Sequence, residues 1–334
     1  MLTTKDHVIA SLIKASDYIS GEAISLELGI SRAAVNTAVK ALRADGYSIE
    51  SSTKKGYRLE SSAGILSPGE LLPYLPESRL ASVTVEDSVT STNDVLKTIA
   101  SSGAPEGTVL IADQQTKGKG RRGRSFESPS GTGIYLSYLL RPAASPASVA
   151  HVTACTAVCV HNAILNACGV DTSIKWVNDL VLDNKKICGI LTEMNLESET
   201  YSIDSIIVGI GINVNGSSDI FPPEVRSVAG SLESITGASY DRARIAASLI
   251  SELDKLSSCL TSDTSSYLET YSSSCITVGK EVSIVSVHDS GEAPRHGTAI
   301  AVNPDYTLKV RLADGTVTDI QSGEVSVRGL YGYI

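Results

Sequence analysis

The ten residues from Gln115 to Arg124 constrain this chain more than any other stretch. They contain a literal G-x-G-x-x-G at Gly118, Gly120 and Gly123, a spacing that in a dinucleotide-binding fold turns a strand into a helix. A strand over Thr108 to Ala112 is predicted upstream, but Ser125-Phe126-Glu127-Ser128-Pro129-Ser130-Gly131 follows as turn and loop, with no helix to open. Context therefore excludes the dinucleotide fold. A P-loop is excluded as well, because no Gly-Lys-Ser/Thr ends the run. What is left is an irregular loop with five cations, Lys117, Lys119, Arg121, Arg122 and Arg124, whose glycines let backbone N–H groups close on an anion. Charge runs are more usually solvated turns; here the order of residues argues for an anion site.

At 334 residues and 42% hydrophobic the chain is long enough for two or three domains, since single cores stop growing below that length. The net charge of -9 speaks against a protein coated overall in nucleic acid and leaves room for a small basic face that binds DNA. No stretch approaches the ~18 apolar residues needed to span a bilayer, and Asp6 and His7 stand where a signal peptide needs an apolar core. A cytoplasmic protein with no membrane partner is expected. The six cysteines, at 155, 159, 168, 188, 259 and 275, form no C-x-x-C pair, which fits reduced, buried thiols. His151, Cys155 and Cys159 share a helix face at metal-ligand spacing, but Val152, Ala154, Ala157 and Val158 around them favour core packing, and no protein-built metal cage is expected.

Residues 4–60 read as three helices and a hairpin. The first helix, Lys5 to Ala15, buries Val8, Ile9, Leu12 and Ile13; the second, Gly21 to Leu28, stops at Gly29. Ser31 is a natural N-cap for a third helix reaching Asp45. On it Val35, Val39 and Leu42 form an apolar stripe, while Arg32, Asn36, Lys40 and Arg43 recur on another face. Tyr47 to Glu60 alternates as two strands around the turn Thr53-Lys54-Lys55-Gly56, a wing with a basic tip. Small three-helix cores also serve as protein-interaction modules. The polar face favours DNA: Arg32, Lys40, Lys54 and Lys55 suit phosphates, Asn36 an adenine edge, and Ser31 or Thr37 either backbone or base. Because one such domain reads a half-site, DNA binding predicts self-association.

The Pro-containing stretch 63–80 reads as a linker with one short helix over Pro68 to Leu75, dividing residues 1–62 from a central domain over 81–272. That domain mixes strands (Val83 to Val85, Thr108 to Ala112, Ile134 to Leu140, Ile187 to Glu193, Ser205 to Val214) with helices (Asn93 to Ser101, Ala147 to Cys168, Tyr240 to Leu256), an α+β pattern. The Ser-rich stretch 257–274 reads as linker or short helix, with Tyr267, Leu268 and Tyr271 favouring helix. Residues 273–334 read as a small β-barrel, with turns at His288 to Gly291, Asn303-Pro304-Asp305, Asp314-Gly315 and Ser322-Gly323.

In order along the chain stand Ser91-Thr92-Asn93, Gln115, the loop Gly118 to Arg124, Lys175-Trp176-Val177-Asn178-Asp179, Lys186 to Glu193 and Gly209-Ile210-Gly211-Ile212-Asn213. They resemble the successive motifs of the biotin protein ligases, and the two ends of the chain resemble that family's bifunctional members, which also act as biotin operon repressors. The resemblance covers nearly the whole chain. It implies a winged helix-turn-helix, a central mixed-sheet domain like that of class II synthetases, and a C-terminal SH3-like barrel. It also implies a two-step reaction: ATP, with Mg2+, and biotin give biotinyl-5'-AMP, and biotin then passes to a lysine of a carboxylase's biotin carboxyl carrier protein. Operator DNA and a second copy of the chain are the further partners implied, with the adenylate as co-repressor.

By that resemblance Lys186 contacts both biotin's carboxylate and the α-phosphate, and Arg121 binds either group and folds the loop over the intermediate. A carboxylate with a pKa near ~4.3 needs no general base at neutral pH, so cations and backbone donors are what the step requires. Ser91, Thr92, Asn93, Gln115, Gly118, Lys119, Gly189, Gly209 and Gly211 match biotin-binding positions; Arg124, Phe126, Trp176, Asn178 and Asn213 match nucleotide-binding ones. Structural readings stand beside these: Ser91 or Thr92 as a helix cap, the glycines as strand packing, Trp176 as core. Asp179 is left with three roles, orienting Lys186, assisting magnesium, or accepting a proton from the incoming lysine. The chain departs from the family pattern at Lys119 (usually Arg), Val177 (usually Pro) and Phe126 (usually Trp). Lys119 loses the planar fork, which weakens loop closure, and Phe126 offers adenine a smaller face. Two rival readings are a non-catalytic biotin-sensing regulator and a lipoate or octanoate ligase. Lys186 and the near-complete loop oppose the first, and Lys175 to Asp179 with the loop oppose the second.

Overall fold

A computed structural model of the protein describes residues 2–62, 64–197, 202–286, 293–321 and 325–329, the last of these as backbone. Helices α1 (Thr4–Ala15), α2 (Gly21–Leu28) and α3 (Arg32–Ala44) precede a hairpin of β1 (Ser48–Ser52) and β2 (Gly56–Ser61). Each helix start carries its own signal. Thr3 and Asp6 form a reciprocal capping box at α1, Ser20 caps α2, and Ser31 caps α3 by accepting from the Ala34 N–H. Val8, Ile9, Leu12, Ile24, Val35, Val39 and Leu42 meet in one core with Tyr47 and Ile49 of the hairpin. Tyr57 and Ile19 exchange backbone hydrogen bonds of 2.9 Å, and at Gly56 a Cβ would strike the Ile19 and Ser20 backbone. This docks the wing on the α1–α2 turn.

The stretch expected to be a linker is a packed joint. It holds two single-turn helices, α4 (Pro68–Leu71) and α5 (Glu77–Leu80), and Leu66, Leu71, Leu75 and Leu80 are buried in the central core. Gly69 lies so close to Ile9 and Asp6 of α1 that no side chain fits. Its prolines and turns suggested slack; its leucines find partners far away in sequence.

The central sheet has seven strands: β3 (Val83–Val89), β4 (Val109–Gln115), β5 (Gly133–Leu140), β6 (Ser173–Lys175), β7 (Asp179–Leu182), β8 (Lys185–Leu196) and β9 (Ile203–Asn213). Their spatial order is β3-β4-β5-β9-β8-β7-β6; β3–β4 is parallel and the other pairings antiparallel, so the sheet is mixed. Helix α6 (Thr92–Ser101) covers one face, where Leu96 and Ala100 pack on Leu110, Leu139 and Ile207. Helices α7 (Val152–Cys168), α8 (Leu232–Thr236), α9 (Arg242–Cys259) and α10 (Ser265–Ser274) follow in the chain, and α7 and α9 pack together over the other face. The expected helix Ala147 to Cys168 is split, because Pro146–Val149 winds as a 3-10 turn before α7 begins. The stretch 146–168 is long and apolar enough by composition to cross a membrane, contrary to the sequence reading; 67% of its window is buried inside the protein, as befits a helix sandwiched in a core. The helix expected in the Ser-rich stretch is α10, with Tyr267 and Tyr271 buried.

The C-terminal strands β10 (Glu281–Ser286), β11 (Arg295–Val302), β12 (Leu308–Leu312), β13 (Val317–Ile320) and β14 (Val325–Gly329) form an antiparallel sheet of order β13-β12-β11-β10-β14. Asp314-Gly315 turns β12 into β13, and Asn303 to Asp305 lie in the β11–β12 connection; the turns expected at His288 to Gly291 and at Ser322-Gly323 fall outside the described residues. His151 stacks on Tyr306 with ring centroids 5.6 Å apart, and Cys155 Sγ donates to the Tyr306 hydroxyl at 3.3 Å. His151 and Cys155 therefore pack against the β11–β12 connection, while Cys159 Sγ donates to the Glu252 carbonyl of α9 at 3.5 Å.

Candidate active site

The outer ends of β4, β8 and β9, the start of α6 and the glycine-basic loop line a cleft that is open to solvent on one side. Its inner end is neutral. Ser91, Thr92, Asn93 and Gln115 line it, and the first three are nearly fully buried. Gln115 Oε1 accepts from the Thr92 backbone N–H at 2.8 Å, and Gln115 Nε2 donates to Ser128 Oγ at 2.9 Å. Asn93 Nδ2 donates to Glu193 Oε2 at 2.7 Å. Ser137 Oγ lies 2.6 Å from Asn93 Oδ1 and 2.8 Å from Thr92 Oγ1. Ser91 precedes α6, yet its side chain makes no capping hydrogen bond, so the capping reading gives way to a hydroxyl at the cleft wall. Gly209 and Gly211 leave the room that Asn93 and the Phe126 ring occupy; a Cβ at either would collide with them.

The outer end is cationic. Lys186 Nζ pairs with Asp179 Oδ1 at 2.6 Å. Asn178 Nδ2 donates to Asp179 Oδ1 at 3.1 Å and to the Ile190 carbonyl at 3.1 Å, while Asn178 Oδ1 accepts from Arg121 Nη1 at 2.8 Å. Burial holds the Arg121 guanidinium below the ordinary arginine value, against the pull of Asp179; an arginine stays charged through such a shift. An ammonium and a guanidinium thus reach one cleft, joined through the Asp179 carboxylate and the Asn178 amide.

The loop curls over this end. Gly120 N donates to the Arg124 carbonyl at 2.7 Å and Phe126 N to the Gly118 carbonyl at 2.9 Å. Lys119 reaches across to Asp94 at 2.5 Å; that hydrogen bond, ahead of the charges of Asp94 and Glu193, lifts Lys119 above the ordinary lysine value. The pair is exposed and worth at most about 1 kcal/mol, a light latch.

Of the residues singled out in the sequence, Ser91, Thr92, Asn93, Gln115, Lys119 and Arg121 line the cleft, as do Phe126, Asn178, Lys186, Gly189, Gly209 and Gly211. Gly118 is buried behind it, against Phe126 and Ser128. Asp179 sits behind Lys186, and Arg124 is exposed with its carbonyl holding the loop turn. Two nucleotide-binding expectations place elsewhere. Trp176 is buried, its Nε1 donating to the Tyr306 carbonyl at 2.9 Å, so it joins the central and C-terminal domains. Asn213 Nδ2 donates to the Gly230 carbonyl at 3.1 Å, supporting the segment whose Val228 carbonyl and Gly230 N–H bond the Lys186 backbone. Sequence reasoning gave no role to Ser128 and Ser137, and none to Glu193 beyond closing a motif. Ser137 did carry a signal, a small hydroxyl residue in the run Ile134 to Leu140 whose other members are aliphatic or tyrosine.

Over 231 residues the chain is 41% identical to the bifunctional ligase/repressor BirA of Bacillus spizizenii, a match covering 69% of this chain and 70% of that protein. The chain belongs to the biotin/lipoate A/B protein ligase family. That family's model matches residues 85–213, and an HTH domain model matches 4–58. The chain is also 33% identical over 207 residues to the bifunctional ligase/repressor BirA of Escherichia coli, covering 62% of each. Its fold superposes on the biotin protein ligase from Aquifex aeolicus, solved with biotin and ATP, with a TM-score of 0.62 and 28% identity, covering 74% of this chain and 98% of that one. In this ligase-family chain the matched region spans β3 to β9, the elements that build the cleft.

The N-terminal domain of this family member presents the expected basic face. Arg32, Asn36, Thr37 and Lys40 are exposed on α3, Lys54 and Lys55 at the wing tip, and Ser31 at the cap. Asn36 Nδ2 donates to the Tyr57 hydroxyl at 3.2 Å, which orients it between helix and wing. Arg43, which shared that face in the sequence, turns to the Ile49 carbonyl (Nε, 3.0 Å) and to Ser51 Oγ (2.6 Å); it ties the wing to α3.

Proposed function

We propose that this chain condenses biotin with ATP to biotinyl-5'-AMP and pyrophosphate, then transfers biotin to a lysine of a biotin carboxyl carrier protein. The observation that carries the reading is the division of the cleft. A neutral end of paired donors and acceptors suits a cyclic urea, and a cationic end with Lys186 and Arg121 suits the meeting of a carboxylate and an α-phosphate. The carboxylate oxygen attacks the α-phosphorus and pyrophosphate leaves; later the carrier amine attacks the acyl carbon, loses a proton, and AMP leaves. Asp179 orients Lys186 between the two reacting anions, Arg121 shares the charge on the phosphoryl oxygens, and Phe126 beside Gly211 offers adenine an apolar face. The loop over the cleft excludes water from the mixed anhydride.

Among the described residues no group of three His, Cys, Asp or Glu side chains converges, and Asp179 already faces Lys186. This donor set fits a magnesium held by ATP's phosphates with Asp179 at most alongside, where it would neutralise phosphate charge. Residues 1–62 form the DNA-binding domain, 63–80 the joint, 81–272 the catalytic domain and 273–334 the SH3-like domain in this reading. The protein is a cytoplasmic repressor that dimerises on operator DNA when the adenylate orders the loop. ATP–pyrophosphate exchange measured with biotin and with lipoate tests the ligase half: exchange with biotin alone is expected, and exchange with lipoate alone would reverse the assignment. A gel-shift on the gene's own upstream DNA, with and without biotin plus ATP, tests the repressor half, and sedimentation with and without the adenylate tests dimerisation.

A further inference from the structure

We infer that Tyr271 and Thr277 are positioning residues for the cationic end of the cleft: from outside the sheet they grip Trp176 and Val177, the turn residues that lead into Asn178 and Asp179. The inference rests on the biotin ligase reading and adds to it two residues that lie outside the cleft lining.

Strand β6 is 3 residues long and forms one edge of the central sheet. Trp176, Val177 and Asn178 close its hairpin with β7, where Lys175 pairs with Asp179. So short a strand supplies few ladder hydrogen bonds, and the turn takes its position from its neighbours. On the inner side β8 holds it: Ile190 N donates to the Asn178 carbonyl at 3.0 Å, and Asn178 Nδ2 donates to the Ile190 carbonyl at 3.1 Å. On the outer side the hold comes from later in the chain. Thr277 Oγ1 accepts from the Trp176 N–H at 2.9 Å, the Tyr306 carbonyl accepts from Trp176 Nε1 at 2.9 Å, and the Tyr271 hydroxyl donates to the Val177 carbonyl at 3.2 Å. Trp176 and Val177 are buried, so their main-chain groups depend on protein partners rather than water. Tyr271 is fully buried on α10, its ring edge-on to Tyr306 with centroids 5.5 Å apart, which fixes the direction of its hydroxyl. The Val177 carbonyl belongs to the same peptide unit as the Asn178 nitrogen, and Asn178 is the residue that accepts from Arg121 at 2.8 Å and donates to Asp179 at 3.1 Å. A turn held on one side alone shifts away from β8, and the Arg121 contact shifts with it.

Tyr271→Phe and Thr277→Val each remove one polar contact and keep the shape of the side chain. In ATP–pyrophosphate exchange each should lower kcat by about tenfold, a part of the cost of a full misplacement of a catalytic group. The biotin Kd from isothermal titration calorimetry should stay within about threefold, because Ser91, Thr92 and Gln115 at the neutral end stand on other elements. Tyr267→Phe, one turn earlier on α10 and also buried, controls for loss of a buried hydroxyl as such and should leave kcat within about twofold. In an Asn178→Ala background the route to Arg121 is already cut, and Tyr271→Phe should add less than about twofold. Thermal melts of the full chain establish that each variant folds. A folded Tyr271→Phe or Thr277→Val protein with unchanged kcat, an equal loss in Tyr267→Phe, or a Tyr271→Phe loss undiminished in the Asn178→Ala background would overturn the inference. Absence of biotin-dependent exchange by the unsubstituted protein would instead overturn the ligase reading together with it.

Discussion

The Lys186 ammonium and the Asp179 carboxylate, on adjacent strands β8 and β7, meet at 2.6 Å at the mouth of the cleft. Asp179 also accepts from Asn178, which in turn accepts from Arg121, so removing the carboxylate takes away the counter-charge of Lys186 and one of the two contacts that hold the Asn178 amide against Arg121. Asp179→Asn should lower kcat for ATP–pyrophosphate exchange by about 10²-fold, the cost of misplacing a catalytic group by roughly 1 Å, with a much smaller change in the KM for biotin. Steady-state exchange kinetics read both parameters.

Arg242 is buried at the start of α9, where it donates to the Gly133 carbonyl at 2.7 Å and to Asp113 Oδ1 at 2.7 Å, and also to the Gly64 carbonyl. Asp113 in turn accepts from the Gly131 N–H in the turn before β5. Arg242→Ala leaves the Asp113 carboxylate without its counter-charge and should cost about 3–5 kcal/mol of stability, seen in urea titration of the full chain.

Much of the fold was legible because its signals are local. Ser31 capping α3, Gly29 ending α2 and the apolar stripe of Val35, Val39 and Leu42 each act within a few residues. The cleft was legible through its motifs, whose Lys186, Arg121 and Gln115 all line it. What escaped reading depends on distant partners. Trp176 bonds a carbonyl 130 positions later, Leu71 and Leu75 in the supposed linker are buried against the central domain, and Glu193 accepts a hydrogen bond from Asn93, 100 positions earlier. No periodicity in a short window records such pairings.

Glu70 in the joint predicts a pH effect. Burial first, and then the Asp241 carboxylate, push its carboxyl from 4.5 up to about 7. Between those values the folded protein keeps a proton that the unfolded chain has lost, so this contribution is fully present below pH 4.5 and falls away as pH rises through about 7. Melting temperature should therefore decline from pH 5 to pH 8 more steeply in the unsubstituted protein than in Glu70→Gln, by the equivalent of about 1–3 kcal/mol.

On the DNA-binding face the two kinds of contact should separate. Lys40→Ala removes a phosphate contact; it should weaken binding to all sequences alike and reduce the salt slope of log K by about 1. Asn36→Ala should cost about 1–3 kcal/mol at one base position and leave the slope unchanged. Fluorescence anisotropy over a salt series distinguishes them.

Biotin-dependent ATP–pyrophosphate exchange by the unsubstituted chain and by Lys186→Ala tests the central claim most directly. The account predicts exchange that needs biotin and is lost in Lys186→Ala, a folded protein with its melting transition retained. Normal exchange by Lys186→Ala, or none by the unsubstituted chain, would contradict it.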